Sequence, residues 1–267
     1  PILGSGGEIN VDAESIHGMD AYATTLNMVS VSLALIGISV VGGTGTVDIT
    51  NTVEAFVSGS TLTANDEINI DADSQHYARP SIAGFSISTG IGVSVVDADG
   101  IIAGATRAYI DGSSTISSAG ALDVTADSVA FASPQGVSLG VGLGAGIGAT
   151  DFYANVTRET AAYVGTRAGT SVNNTVLNLD TQQLNIKADA NLNATADSAT
   201  VGIALGVGAA IANSIATVNG TTLAYVGEGA TVNAGGVLID AKSIDNASTD
   251  SKVVSVGLLA AVNDAQS

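Results

Sequence analysis

Paired carboxylates are the residues in this chain whose chemistry is easiest to name. Asp71 and Asp73 close the stretch "NDEINIDAD" (residues 65–73), and Asp97 and Asp99 lie in "VDADG" (residues 96–100). A spacing of two puts both acids of a pair on one side of a strand. Calcium accepts several carboxylate and carbonyl oxygens in flexible geometry, so these four are the candidate calcium ligands. Neither stretch has the twelve-residue helix–loop–helix calcium pattern, and the nonapeptide of calcium β-rolls is missing, although "GGTGTVDIT" from Gly42 approaches it with Asp48 one place late. A solvated acidic face is the plain alternative. His17 and His76 each follow a serine by two residues and, if stacked, could hold a transition metal. Ala130 and Leu192 take that place in later units, so surface histidines are expected. "GVGLGAG" (residues 140–146) has Ala145 near its end and keeps alternating, which argues against a dinucleotide loop and for glycines that let facing sheets come close. Asn-x-Ser/Thr triplets begin at Asn155, Asn173, Asn193, Asn219 and Asn246, as chance allows in a chain rich in these residues.

The elements that carry these residues repeat. "INVDAES" at Ile9 returns as "INIDADS" at Ile68, "LDVTADS" at Leu122, "LNIKADA" at Leu184 and "VLIDAKS" at Val237. The alanines of this phrase, Ala13, Ala72, Ala126, Ala188 and Ala241, are 59, 54, 62 and 53 residues apart. A second phrase, "AFVSG", "AYIDG", "AYVGT" and "AYVGE", begins at Ala55, Ala108, Ala162 and Ala224, and from the second unit onward it follows the first phrase by 36 residues each time. Spacing held this closely marks a structural repeat, whose stacked units present the same side chain at the same point. The units are approximately 8–66, 67–119, 120–181, 182–235 and a partial 236–267, forming a single array over residues 1–267.

Alternation at period 2 runs through nearly every segment, and helix signals are almost absent, so the chain is expected to be all-β. The run "FSISTGIGVSVV" (residues 85–96) reads as a strand with both faces covered. Pro80 and Pro134 mark a bend after the first strand of successive units. The extra residues of the two longer units are expected near residues 42–50 and 173–182. A parallel β-solenoid satisfies these constraints, with Tyr109, Tyr163, Tyr225 and Phe56 as one stacked column. A unit of about 54 residues suits three coils, one wide rung, or stacked sheets with an antiparallel hairpin inside each repeat. The acids form columns as well: Asp12, Asp71 and Asp240 in one, Glu14, Asp73, Asp127 and Asp189 in another, giving an acidic outer edge.

Composition limits function. Hydrophobic residues make up 46% of the 267, aromatics 4%, and Trp and Cys are absent, so the core must be built from Val, Ile, Leu, Ala and the 33 glycines. A formal charge of −18 with seven basic residues argues against nucleic acid and anionic lipid as partners. The apolar runs are too short and too glycine-rich for a spanning helix, so no membrane insertion is expected. No unit breaks the repeat to build a unique cleft, so the chain is expected not to be an enzyme.

The layout "TxAYVGxxAxVxAGGxVxIxAxSxxxA", carried by Ala224, Tyr225, Val226, Gly227, Val232, Ala234, Gly235, Gly236, Ile239, Ala241, Ser243 and their counterparts, resembles the repeats of filamentous-haemagglutinin-like adhesins and related giant bacterial exoproteins. The resemblance implies an extracellular or cell-surface rod, structural or adhesive, with no catalytic residues to carry over. Self-association end to end or continuation in a longer chain, and a cell-surface or glycan receptor, are the expected partners. A calcium- or glycan-binding repeat module of a secreted protein is the alternative. Both ends of the chain read as cuts in a longer array.

Overall fold

The computed structural model describes residues 2–16, 25–34 and 37–267. The chain is all-β, and four consecutive strands make one circuit on which the next four lie. The first circuit has β1 (Ile2–Ser5), β2 (Ile9–Ile16), β3 (Thr25–Ser32) and β4 (Ile38–Ser58), and the second β5 (Thr61–Ala64), β6 (Ile68–Ala78), β7 (Ser81–Ser88) and β8 (Ile91–Asp111). The third has β9 (Thr115–Ser118), β10 (Leu122–Ala132), β11 (Gln135–Gly142) and β12 (Ala145–Val164). The fourth has β13 (Thr175–Asn178), β14 (Gln183–Ala204), β15 (Val207–Val218) and β16 (Thr221–Val226), and the last β17 (Ala230–Asn233), β18 (Gly236–Gly257) and β19 (Ala260–Gln266).

Three sheets result. The short strands pair in the order β1-β5-β9-β13-β17, and β4, β8, β12, β15, β16 and β19 form the sheet opposite the one that contains β6, β7, β10, β11, β14 and β18. Every ladder among the described residues is parallel, with one isolated antiparallel bridge between Thr166 and Glu228. This architecture is consistent with a parallel β-solenoid. The recurring alanines face one another: Ala13 opposite Ala72, Ala72 opposite Ala126, Ala126 opposite Ala188, and Ala188 opposite Ala241. Pro80 and Pro134 do sit at a corner, where their carbonyls accept from Gln135 and Asp197 and no ladder donor is required. Where proline is absent, β14 and β18 run through that corner as single strands of 22 residues.

From the second circuit onward the chain reverses over two residues, as at Thr89 and Gly90 between β7 and β8. The two arms do not pair edge to edge; they pack face to face, so no antiparallel hairpin forms among the described residues. The run from Phe85 to Val96 is therefore two strands and a bend rather than the one strand its alternation suggests. Both expected insertions move too. Residues 42–50 lie inside β4 in unbroken register with β8, and the extra residues of that unit fall between β2 and β3 and between β3 and β4. In the longer third unit, β13 occupies much of 173–182, and most of the extra residues precede it, between Val164 and Thr175. Loops tolerate added length where ladders do not, because a slipped ladder turns every side chain to the wrong face.

Two apolar layers fill the wide part of the section. One joins Leu62, Ile68, Ile70, Ala72 and Ile110 with their counterparts, and the other joins Ala78, Ile82, Val96, Ala98, Ile102 and Phe152 with theirs. A thin polar seam separates them, and beyond the second layer the section narrows to an edge.

Candidate functional site

The narrow edge inverts the usual arrangement of a sheet protein. Inward positions on β11 and β12 are held by Ser138, Gly140, Gly142, Gly146, Gly148 and Thr150, while Val137, Leu139, Val141, Leu143 and Ile147 point outward. The circuit below places Gly84, Ser86, Ser88, Gly92 and Ser94 inside and Phe85, Ile87, Ile91, Val93 and Val95 outside. The circuit above has Thr200, Gly202, Ala204, Gly208 and Ala210 inside, with Ile203, Leu205, Val207 and Ile211 outside. Small inward side chains let the two arms meet backbone to backbone. A Cβ added at Gly140 would stand 2.0 Å from the Ile147 carbonyl oxygen, and one at Gly202 1.9 Å from that of Ala209. The buried hydroxyls cross-link the arms, with Ser138 donating to the Ser94 carbonyl at 2.8 Å and Ser86 to the Ser39 carbonyl at 2.7 Å.

Alternation alone shows that one face of these strands is large and apolar and the other small, but not which face is inside. The customary choice puts Val and Ile inside. Here no space exists for them, and they cover both outer faces and the rim. Leu143, Leu205 and Leu258, stacked at the bend, are 54%, 61% and 80% exposed.

The polar seam holds a second feature. Arg158 projects inward from β12 and is 2% exposed. Its Nε donates to Ser128 Oγ at 2.9 Å, Nη2 to Thr106 Oγ1 at 2.9 Å, and Nη1 to the Ala103 carbonyl and to Asn51 Oδ1, both at 3.3 Å. Among the described residues no carboxylate meets it. Burial lowers its pKa to about 10, which leaves it charged at neutral pH. Asn51 belongs to the first circuit and Arg158 to the third; Gly104 lies between them in the column, and its missing side chain opens the way. A glycine directly beneath a long basic residue at one repeat position was the sequence signal for this contact.

His76 is buried in the same seam, contrary to the surface position expected of it. Period-2 alternation carries Ala72, Ser74, His76 and Ala78 inward together. Because Asn51 Oδ1 accepts from Arg158, its amide nitrogen faces His76 Nε2 at 2.9 Å, and that ring nitrogen acts as the acceptor. His17, the other half of the proposed pair, lies outside the described residues.

The four candidate calcium ligands do not come together. Asp71 and Asp73 lie on β6, and Asp97 and Asp99 on β8 in the opposing sheet. Among the described residues no three His, Cys, Asp or Glu side chains are placed to hold a metal ion. The carboxylates do stack into columns. Burial, with Asp12, Asp73 and Asp123 around it, raises Asp71; burial, with Asp99 and Asp151, raises Asp97; burial also raises Asp99. The largest effect is at Asp127, pushed up to about 6 by burial and by Asp189, Asp71 and Asp73. A carboxyl held above its unfolded value near 3.8 binds its proton more readily in the native state, so this contribution to stability is present in full below about pH 4 and is lost as pH rises through about 6. Asp127→Asn is expected to raise the urea midpoint at pH 7 and to leave it nearly unchanged at pH 4. Equal shifts at the two pH values would exclude the column as the cause.

The ring column forms as its spacing suggests. Phe56, Tyr109, Tyr163 and Tyr225 stack at centroid distances of 5.2, 4.9 and 5.1 Å with planes within 9°. Arg107 flanks the rings and bridges Glu54 and Glu159, each at 2.9 Å, and Arg167 also reaches Glu159. The basic residues, scattered in sequence, are thus partly gathered into an ion ladder beside the aromatic one. Comparison of the chain with protein-family models, with curated proteins and with solved structures gave no match.

Proposed function

We propose that this chain is a structural or adhesive rod segment of a giant cell-surface protein or extracellular filament, and that each sequence unit of about 54 residues is one rung of its solenoid. The observation that carries the reading is column identity. Alanine meets alanine through five circuits, aromatic ring meets aromatic ring through four, and the pairing offsets equal the spacing of the sequence phrases. A molecule that repeats one cross-section spends its sequence on length rather than on a unique cleft. Length is then the property it offers. The outermost ladders also support growth by stacking, since among the described residues β4 pairs with β8 alone and β18 with β14 alone, leaving backbone edges able to receive a further rung. The likeness to filamentous-haemagglutinin-like repeats rests on the residues of the phrases themselves and belongs to this reading.

Inserting a second copy of residues 67–119 directly after residue 119 tests it. The added copy is expected to enter the stack, lengthen the particle by about 4.8 Å and raise the denaturation midpoint. Extrusion of the copy as a protease-sensitive loop, with length and midpoint unchanged, would sink the one-unit-one-rung assignment and the rod with it.

A further inference from the structure

The geometry points to the narrow edge as a wedge that enters one leaflet of a zwitterionic lipid membrane. In the three middle circuits the apolar surface covers both outer faces and the rim, whereas Asn27 in the first circuit and Lys252 and Asp264 in the last place polar groups on those faces. On one arm the outward positions from Val137 to Leu143 are apolar, and on the other Ala145, Ile147 and Ala149; neighbouring circuits supply Ile87, Ile91, Ile203, Leu205 and Val207. Patches of this continuity on a soluble protein mark an interaction surface.

Where the apolar surface stops identifies the occupant. In these three circuits it ends on the first arm at the column of Ser81, Gln135 and Asp197, and on the second at Asp97, Asp151 and Asn213. Gln135 lies eight residues before Leu143, and Asp151 seven after Gly144. The polar boundaries on the two faces therefore stand at nearly equal depth and define one plane, below which outward apolar residues such as Ile101, Tyr153 and Ile215 are spaced apart by polar ones. A second copy or a protein groove laid on one face gives no reason for such a plane. A fluid apolar layer meeting both faces at once does. At about 3.3 Å per residue the plane is some 23–26 Å from the rim, against about 20–22 Å for a leaflet with its headgroups. Ladder hydrogen bonds satisfy the backbone of the inner circuits from both sides, as hydrocarbon requires. Acids at the plane and a net charge of −18 favour zwitterionic over anionic headgroups. No helix among the described residues is long and apolar enough to cross a membrane; the expectation of no membrane insertion rests on the lack of a spanning run, and a leaflet wedge departs from it because it needs neither a helix nor a span.

The test is flotation with phosphatidylcholine vesicles. The parent chain and Val172→Asp, a change at an exposed apolar residue outside the wedge, are expected to float. Leu205→Asp, at the exposed rim, is expected to lose about 100-fold in partition. Since the chain has no cysteine, Leu143→Cys and Asp180→Cys can each carry a polarity-sensitive dye. Vesicles should shift the emission of the first label to the blue and leave the second unchanged, and this readout does not depend on a charged variant folding. Failure of the parent chain to float, stronger binding on adding phosphatidylglycerol, or a blue shift at Leu143 that grows with protein concentration without lipid would overturn the proposal. The last result would assign the edge to a second copy of the chain. None of these outcomes bears on the rung-duplication test, so rod and wedge stand or fall separately.

Discussion

Gly140→Val and Gly202→Val are each expected to cost more than about 4 kcal/mol, enough to unfold a protein of ordinary stability. The added Cβ at either site falls about 2 Å from a backbone carbonyl oxygen of the facing arm, where no flexible side chain can move aside. Relief requires the arms to separate, and separation breaks the serine and threonine bonds that cross-link them. Gly42→Ala is the control. Its Cβ would meet nothing closer than 3.9 Å, and a change within about 0.5 kcal/mol is expected there. Urea denaturation followed by circular dichroism reads both. If Gly140→Val unfolds at the same midpoint as the parent, the arms are not in contact and the inverted edge is wrong.

Arg158→Ala is expected to cost about 3–5 kcal/mol. It deletes one of the largest fully buried side chains and strips Thr106, Ser128 and Asn51 of a charged donor. Arg158→Met keeps most of the volume and removes the desolvated charge, so it should recover more than half of that loss. Gly104→Ala is expected to match Arg158→Ala, because its Cβ would collide with the Asn51 carbonyl and its φ of +116° is one that L residues rarely adopt. A stability for Arg158→Ala within about 0.5 kcal/mol of the parent, the usual scale of surface changes, would show that the side chain lies in solvent.

These two regions show what the sequence could and could not convey. Columns were legible because identical residues at fixed spacing leave few stacking registers, and the ring column and the alanine ladders follow from that. Strand type was legible from period 2. The phase of the alternation at the edge was not, because hydrophobicity sets which side is buried only when the interior has room for large side chains. Val141 and Gly142 alternate equally well in either sense, and only the close approach of the arms decides. His76 was misplaced for a related reason. Its neighbours in the column are Ala130 and Leu192, themselves buried, and the alternation of its own strand pointed inward. The aspartate pairs of β6 and β8 were legible as pairs on one side of a strand, but spacing alone could not show that they join opposing sheets.

Stacked repeats are usually described as a one-dimensional chain in which each unit is coupled only to the next. Arg158 departs from that scheme, since its guanidinium reaches past the second circuit to Asn51 in the first. The lower three circuits are thereby stitched through their interior, whereas Gly220 occupies the arginine's place in the fourth. Opening any one of the lower three forfeits contacts belonging to the other two, so they form a single cooperative block, and unravelling that starts from the upper circuits meets a barrier at the third.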